Sequence, residues 1–249
     1  MDDGVSFGLP SISPLPEDLA ESVWRPLQPG LLKRERTRVQ LVQAAIRVFS
    51  ARGYAEATMQ EIASVAAMTT ATVYNHFKTK EEVAGAVALL LADALCRRIT
   101  ASQQGVAEGA QRMAIGVRRY IWLAEQSPQW ALMMMEVSVA APELLLEIRH
   151  YALADLRLGV KQKAFRIPGE AAAMDLINGS VTQAMRTVAH GAAPAHHGRD
   201  VAACVLRGLG MDWAEAKKMA HRPLPPFPAL GAAAPVAAKA PARTRRGSG

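Results

Sequence analysis

Residues 41–83 read LVQAAIRVFSARGYAEATMQEIASVAAMTTATVYNHFKTKEEV, and their spacing decides the fold. Val42, Ala45, Ile46 and Phe49 recur at i, i+3, i+4 and i+7, one face of an α-helix. That helix is expected from about Lys33 to Ala51, with Gly53 beyond it as a left-handed cap. Thr58-Met59-Gln60-Glu61 has capping-box spacing: the hydroxyl accepts from the Glu61 amide and the Glu61 carboxylate reaches back to the Thr58 amide. A short second helix follows, with Ile62, Ala63 and Ala66 inward. After a turn at Ala67-Met68, Thr69 is placed to cap a third helix, Thr70 to Phe77, whose inward face is Val73 and Phe77. Thr79-Lys80-Glu81-Glu82 has box spacing again and opens a longer helix with Val83, Val87, Leu90, Leu91 and Leu95 on one side.

Two short helices joined by a tight turn, the second polar on its outward side, form the layout of a DNA-reading helix-turn-helix. The second helix would enter the major groove and present Thr69, Thr70, Ala71 and Thr72, then Tyr74, Asn75 and His76. Hydroxyls bond phosphates or base edges, and the methyl groups of Thr70 and Ala71 suit a thymine methyl. Lys78 and Lys80 are set to meet phosphates, as are the amides at the capped helix starts near Thr58 and Thr79. Upstream, Lys33, Arg34, Arg36 and Arg38 form a basic cluster suited to phosphate or minor-groove contacts. The reading surface has no arginine for bidentate guanine contacts. Affinity should therefore rest on backbone contacts and fall steeply with salt, with DNA shape and dimer spacing supplying part of the specificity.

The quoted stretch resembles the N-terminal domain of the TetR family of one-component bacterial repressors. The matching residues are Ala45, Phe49 and Gly53, then Thr58, Ile62-Ala63 and Ala66, and finally Thr72-Val73-Tyr74-Asn75-His76-Phe77-Lys78-Thr79-Lys80-Glu81. Beyond residue 95 the likeness is much weaker. The resemblance implies base or groove contacts from Thr69, Thr70, Ala71, Tyr74 and Asn75, and phosphate contacts from Thr58, Thr72, His76 and Lys80. One departure is visible: Ala67 stands where the family usually has a turn glycine. A left-handed alanine there would cost about 1 kcal/mol or somewhat more, which is tolerable.

Working outward, the 249-residue chain is half apolar, poor in aromatics and without sustained apolar/polar alternation, so an all-α fold is expected. Residues 1–30, with several prolines, read as a flexible arm, 31–80 as the helix-turn-helix domain and 81–221 as a helical effector-binding and dimerisation domain. Residues 222–249 read as a disordered Pro/Ala-rich basic tail. The body should hold helices near 105–125, 128–136, 141–164, 170–190 and 198–221, making about nine in all, with breaks at Ser127-Pro128, Ala141-Pro142, Ile167-Pro168-Gly169 and 191–198. The net charge of +7 is unevenly spread: 33–80 has eight Lys/Arg and three Glu, 222–249 has five Lys/Arg and no acid, and the remainder is net −3. Concentration of this kind suits a polyanionic partner, although a solvated surface with a basic tail gives the same total.

A helix-turn-helix module typically acts as a symmetric dimer with reading helices about 34 Å apart. In the 170–190 helix Leu176, Ile177, Val181 and Met185 form an apolar stripe, and Val201, Val205 and Leu209 do so in the 198–221 helix. The resemblance implies a four-helix homodimer interface from this pair; an internal core stripe is the alternative. Met113, Tyr120, Trp122, Trp130, Met133 and Met134 offer large adaptable surface for an effector pocket suited to a small apolar or aromatic ligand, or else are ordinary core. Ligand binding would favour a head spacing that no longer matches a palindromic operator, releasing the DNA.

Cys96 and Cys204 have no metal-ligand spacing and read as buried reduced thiols. The acidic, proline-bearing start is no secretory signal, and the apolar runs are too short to cross a bilayer, so a cytoplasmic protein without membrane contact is expected. No cofactor, metal or catalytic residue is called for. Two other function classes fit less well. A non-specific architectural DNA-binding protein would use the basic tail. A metalloenzyme bundle would use Glu147-Ile148-Arg149-His150, a Glu-x-x-His whose required second copy is missing from the chain.

Overall fold

The computed structural model describes residues 15–24, 30–140 and 143–229, with side chains 21–22 and 138–148 outside the description. The described residues form eleven helices and no strand. The head comprises α2 (Lys33–Arg52), α3 (Met59–Val65) and α4 (Thr70–His76). It is preceded by α1 (Glu17–Val23) and followed by α5 (Lys80–Ser102). The body adds α6 (Gly109–Gln126), α7 (Pro128–Ala140), α8 (Glu143–Lys161), α9 (Glu170–Ala189), α10 (His197–Gly208) and α11 (Trp213–His221).

The head folds as its caps dictate. Thr58 accepts from the Glu61 amide at 3.2 Å while the Glu61 carboxylate takes the Thr58 amide at 3.0 Å, a closed capping box. Thr69 caps α4 by accepting from the Thr72 amide. Thr79 caps α5, but the Glu82 carboxylate takes the Lys78 amide, one residue earlier than a capping box requires. Leu41, Ala45, Phe49, Ile62, Val73 and Phe77 are fully or almost fully buried and make the head's core. Gly53 ends α2 at φ 81 and ψ 159, a glycine region with extended ψ rather than the expected left-handed cap.

Three boundaries depart from expectation. The expected arm is not uniformly unstructured: α1 packs on α5 and buries Leu19 and Val23, one turn apart. Two apolar residues at i and i+4 are too short a signal to detect, but here the body supplies the surface they cover. The expected 198–221 helix is two helices. Gly210, at φ +98, breaks it, and Asp212 caps α11 by accepting from the amides of Ala214 and Glu215. A Cβ at Gly210 would lie 2.8 Å from the Arg166 carbonyl oxygen. Finally, residues 222–229 do not belong to a free tail. They run as an extended strap over α5 and α6, with Leu224 and Phe227 against the core.

In the body α6 is central, touching α8, α9, α10 and α11. Gly109 of α6 meets the Gly159 backbone of α8 so closely that a Cβ there would lie 2.8 Å from the Gly159 Cα. Among the described residues no helix is long and apolar enough to cross a membrane.

Candidate functional site

The outward side of α4 carries Ala71, Tyr74 and Asn75, all exposed, with Thr70, Thr72 and His76 partly so. Tyr74 is 45 % exposed although large and aromatic. Thr69 and Thr72 share a hydroxyl–hydroxyl bond of 2.9 Å, so the start of the helix is held in one arrangement. Ala67 in the preceding turn has φ 54, the left-handed region. The Arg38 guanidinium lies 4.3 Å over the Phe77 ring and donates to the His76 carbonyl, stapling the end of α4 to α2. Of the upstream basic cluster, Arg38 is thus engaged within the head and Arg36 donates to the Leu31 carbonyl at 3.3 Å, while Lys33, Arg34, Arg36 and Arg38 all remain exposed. Burial, then Arg34 and Arg38, hold the His76 imidazole below its ordinary pKa.

Lys80 is placed differently from a free phosphate ligand. Its ammonium donates to the carbonyls of Tyr54 and Ala55 at 2.9 and 2.8 Å and sits 4.8 Å over the Tyr54 ring. It locks the loop before α3 to the start of α5. Lys78 donates to the Tyr74 carbonyl at 2.9 Å and remains exposed. Thr58 is exposed beside its box. Tyr54, which ties this corner to Glu81 through its hydroxyl, carries no motif that would have singled it out.

Below the head, α5, α6, α7, α8 and α9 enclose a cavity of about 430 Å³. Of the six expected pocket residues, Met113, Tyr120 and Met134 line it, and Trp122, Trp130 and Met133 do not. Helix geometry explains the division. Met113, Val117 and Tyr120 follow one face of α6, whereas Trp122 is two residues on, about 200° around the helix, and packs on Phe227 of the strap. Trp130 is wholly buried in the core, and its indole nitrogen has no hydrogen-bond partner among the described residues. The cavity is mostly apolar with a few polar groups. Tyr120 meets the Cys96 sulfur at 3.0 Å, and burial lifts that thiol to about 11, so it stays protonated. Tyr151 donates to Asp93 at 3.1 Å, and Asp155 accepts from Arg112 at 2.5 Å and from Gln103 at 3.2 Å. Burial raises the Asp155 carboxyl despite that pairing.

The expected interface stripe is corrected most. Ile177, Val181 and Met185 are buried and line the cavity, and Val205 and Leu209 are buried core, so none is surface for a partner. Val201 is half-buried and Leu176 is 39 % exposed. The outward face of α9 and α10 instead shows Leu176, Gly179, Cys204 and Gly208, followed by Trp213. Cys204 is therefore an exposed thiol, not the buried one expected. The side chain of Glu147 lies outside the described residues, and among those described no group of three or more His, Cys, Asp or Glu is disposed to hold a metal.

Two family models match this chain. Residues 41–87 match the bacterial regulatory proteins of the tetR family, and residues 108–222 match the tetracyclin repressor-like C-terminal domain. The chain belongs to the TetR family. Its head is similar to that of the transcriptional regulator TcmR of Streptomyces glaucescens, 43 % identical over 61 residues, 24 % of this chain and 27 % of the relative. The transcriptional activator FasR of Mycolicibacterium smegmatis is 29 % identical over 119 residues, 47 % of this chain and 54 % of the relative. The TetR chain thus spans about a quarter to a half of the length of these curated relatives. Among solved structures, RolR in complex with resorcinol is 26 % identical, with a TM-score of 0.70 over 79 % of this chain and 98 % of that one. The protein is thus a transcriptional regulator of TetR type.

Proposed function

We propose that this regulator is a ligand-released repressor that binds a palindromic operator in the cytoplasm as a homodimer. The observation that carries the reading is the course of α5. It begins at Lys80 beneath the reading helix, and Ala92, Cys96 and Ile99 further along it line the cavity. A ligand that alters the packing of α5 therefore alters the seat of the head. Thr69 to Thr72, Tyr74 and Asn75 read the major groove, and Lys33, Arg34, Arg36, His76 and Lys78 meet phosphates. A small aromatic effector with hydroxyl groups suits the cavity: methionine and valine walls for the ring, and Tyr120, Tyr151 and Asp155 for polar substituents. The resorcinol bound by RolR belongs to that chemical class. A second copy pairs through the outward face of α9 and α10.

Selection of bound fragments from random DNA, followed by footprinting, tests the DNA half. Protection of one palindrome is expected; uniform coating would replace the reading with an architectural role. Titrating resorcinol and other phenols into the selected complex tests the sensing half. Release of DNA is expected from at least one of them, and unchanged affinity across phenols and apolar ligands alike would remove that half.

A further inference from the structure

The cavity faces of α5 and α6 have opposite sides, and these are charged in an unusual way. Arg98 on α5 and Arg119 on α6 are 6 % and 7 % exposed, deeply buried for guanidinium groups. They reach the same strap. Arg98 donates to the Pro228 carbonyl at 2.6 Å and Arg119 to the Pro225 carbonyl at 2.5 Å. Phe227 lies between them, its ring centroid 5.0 Å from the Arg98 guanidinium and 3.8 Å from that of Arg119, with Trp122 edge-on at 5.5 Å. Arg98 has a second attachment: it pairs with Asp18 of α1 at 2.7 Å. α1 in turn touches the head, which itself packs on α5. The Val23 carbonyl accepts from Gln43 of α2 at 3.2 Å, and Arg47 of α2 lies 5.0 Å over Trp24.

These contacts form one chain from the strap, through Arg98 and α1, to α2. Arg98 and Arg119 already leave their buried Nε atoms without a partner among the described residues. The bonds of their remaining nitrogens to the strap and to α1 are what offset the burial, so the two coverings of the body are not independent. Withdrawing one leaves a further donor of Arg98 unmet and frees it to abandon the other. The residues immediately beside the two arginines, Ile99 and Tyr120, line the cavity.

We infer that Asp18, Arg98 and Phe227 are positioning residues for the reading head, closing α1 and the C-terminal strap into a clasp that fixes α2 on the body. They touch no DNA and act through α2. The inference rests on the DNA-reading role proposed above only for its second readout; the first is independent of DNA.

The first readout is hydrogen exchange on the full chain, comparing wild type with Phe227→Ala, Asp18→Asn and the double variant, with Phe227→Tyr as the conservative control. Phe227→Ala should raise exchange across Glu17–Val23, which lies in a different part of the sequence, by about tenfold or more while α9 and α10 stay protected. Phe227→Tyr should not. If the clasp is one unit, the double variant should loosen α1 little more than either single variant. Additive effects, or an α1 that stays protected while the strap alone opens, would overturn the inference. Asp18→Asn, which leaves the strap intact, covers the case in which Phe227→Ala fails to fold. The second readout is affinity for the DNA fragment recovered by selection. Phe227→Ala and Asp18→Asn should each weaken it by about fivefold with unchanged sequence preference, since a loosened head must be ordered on binding. Unchanged affinity alongside a loosened α1 would overturn the positioning role. Absence of any DNA binding by the wild-type protein would instead sink the proposed function and leave the exchange result standing.

Discussion

Ala67 is held in the turn between α3 and α4 at φ 54, where its Cβ crowds the following carbonyl. Glycine has no such penalty but adds freedom to the unfolded chain, which offsets part of the gain. Ala67→Gly is therefore expected to stabilise the protein by about 0.5–1 kcal/mol, read from denaturant melts. A loss of stability would show that the turn is unstrained. His76 supplies a second residue-level test. Its pKa lies below the ordinary 6.5 because of burial and then Arg34 and Arg38. The unfolded chain thus binds a proton more readily than the folded one. The resulting stability is fully present above about pH 6.5 and is lost as pH falls through the depressed folded value. His76→Gln should melt progressively higher relative to wild type between about pH 7 and pH 5, and a constant difference would show that His76 does not titrate differently on folding. The caps at Thr58 and Thr69 were legible in the sequence because each is a local hydrogen bond within three residues. The loop lock made by Lys80 was not, because its partners Tyr54 and Ala55 lie more than twenty residues away.

At the scale of elements, the crossing of α6 and α8 depends on Gly109 lying against Gly159. Gly109→Ala must push the helices apart or strain the start of α6, an overpacking cost of about 1–3 kcal/mol. Both helices wall the cavity, so the same variant should alter the affinity for any phenol that binds the wild type. Calorimetric titration checks this, and unchanged affinity would mean the displacement is absorbed away from the cavity. Helix type and approximate extent could be read from periodicity for α2 to α5 and for much of the body, since a 3.6-residue pattern survives whatever the helix packs on. Three features could not. The α1 stripe is only Leu19 and Val23, the α10–α11 break rests on one glycine within an apolar pattern, and the strap has prolines that forbid a helix without saying where an extended chain will lie. Its attachment depends on Arg98 and Arg119, more than a hundred residues upstream.

At the scale of the molecule, the proposed homodimer turns on the two sides of α9. Periodicity finds a stripe but not its partner, and Leu176 and Ile177 are neighbours in sequence that the fold sends to opposite sides. Ile177 is 4 % exposed and lines the cavity, whereas Leu176 is 39 % exposed on the outward face beside Gly208. An arginine at 176 can reach water in an isolated protomer, so it should leave the fold intact. In a closed twofold interface the same charge would be buried twice, once from each copy, without a partner. Leu176→Arg is therefore expected to give a monomer in sedimentation experiments with unchanged helix content. Its affinity for a two-half-site operator should fall by about 100-fold or more, because the second head no longer binds at high effective concentration. Ile177→Ala should keep the dimer and change phenol binding instead. A Leu176→Arg protein that remains dimeric, or an Ile177→Ala protein that dissociates, would place the interface elsewhere and reverse the division of α9 between ligand and partner.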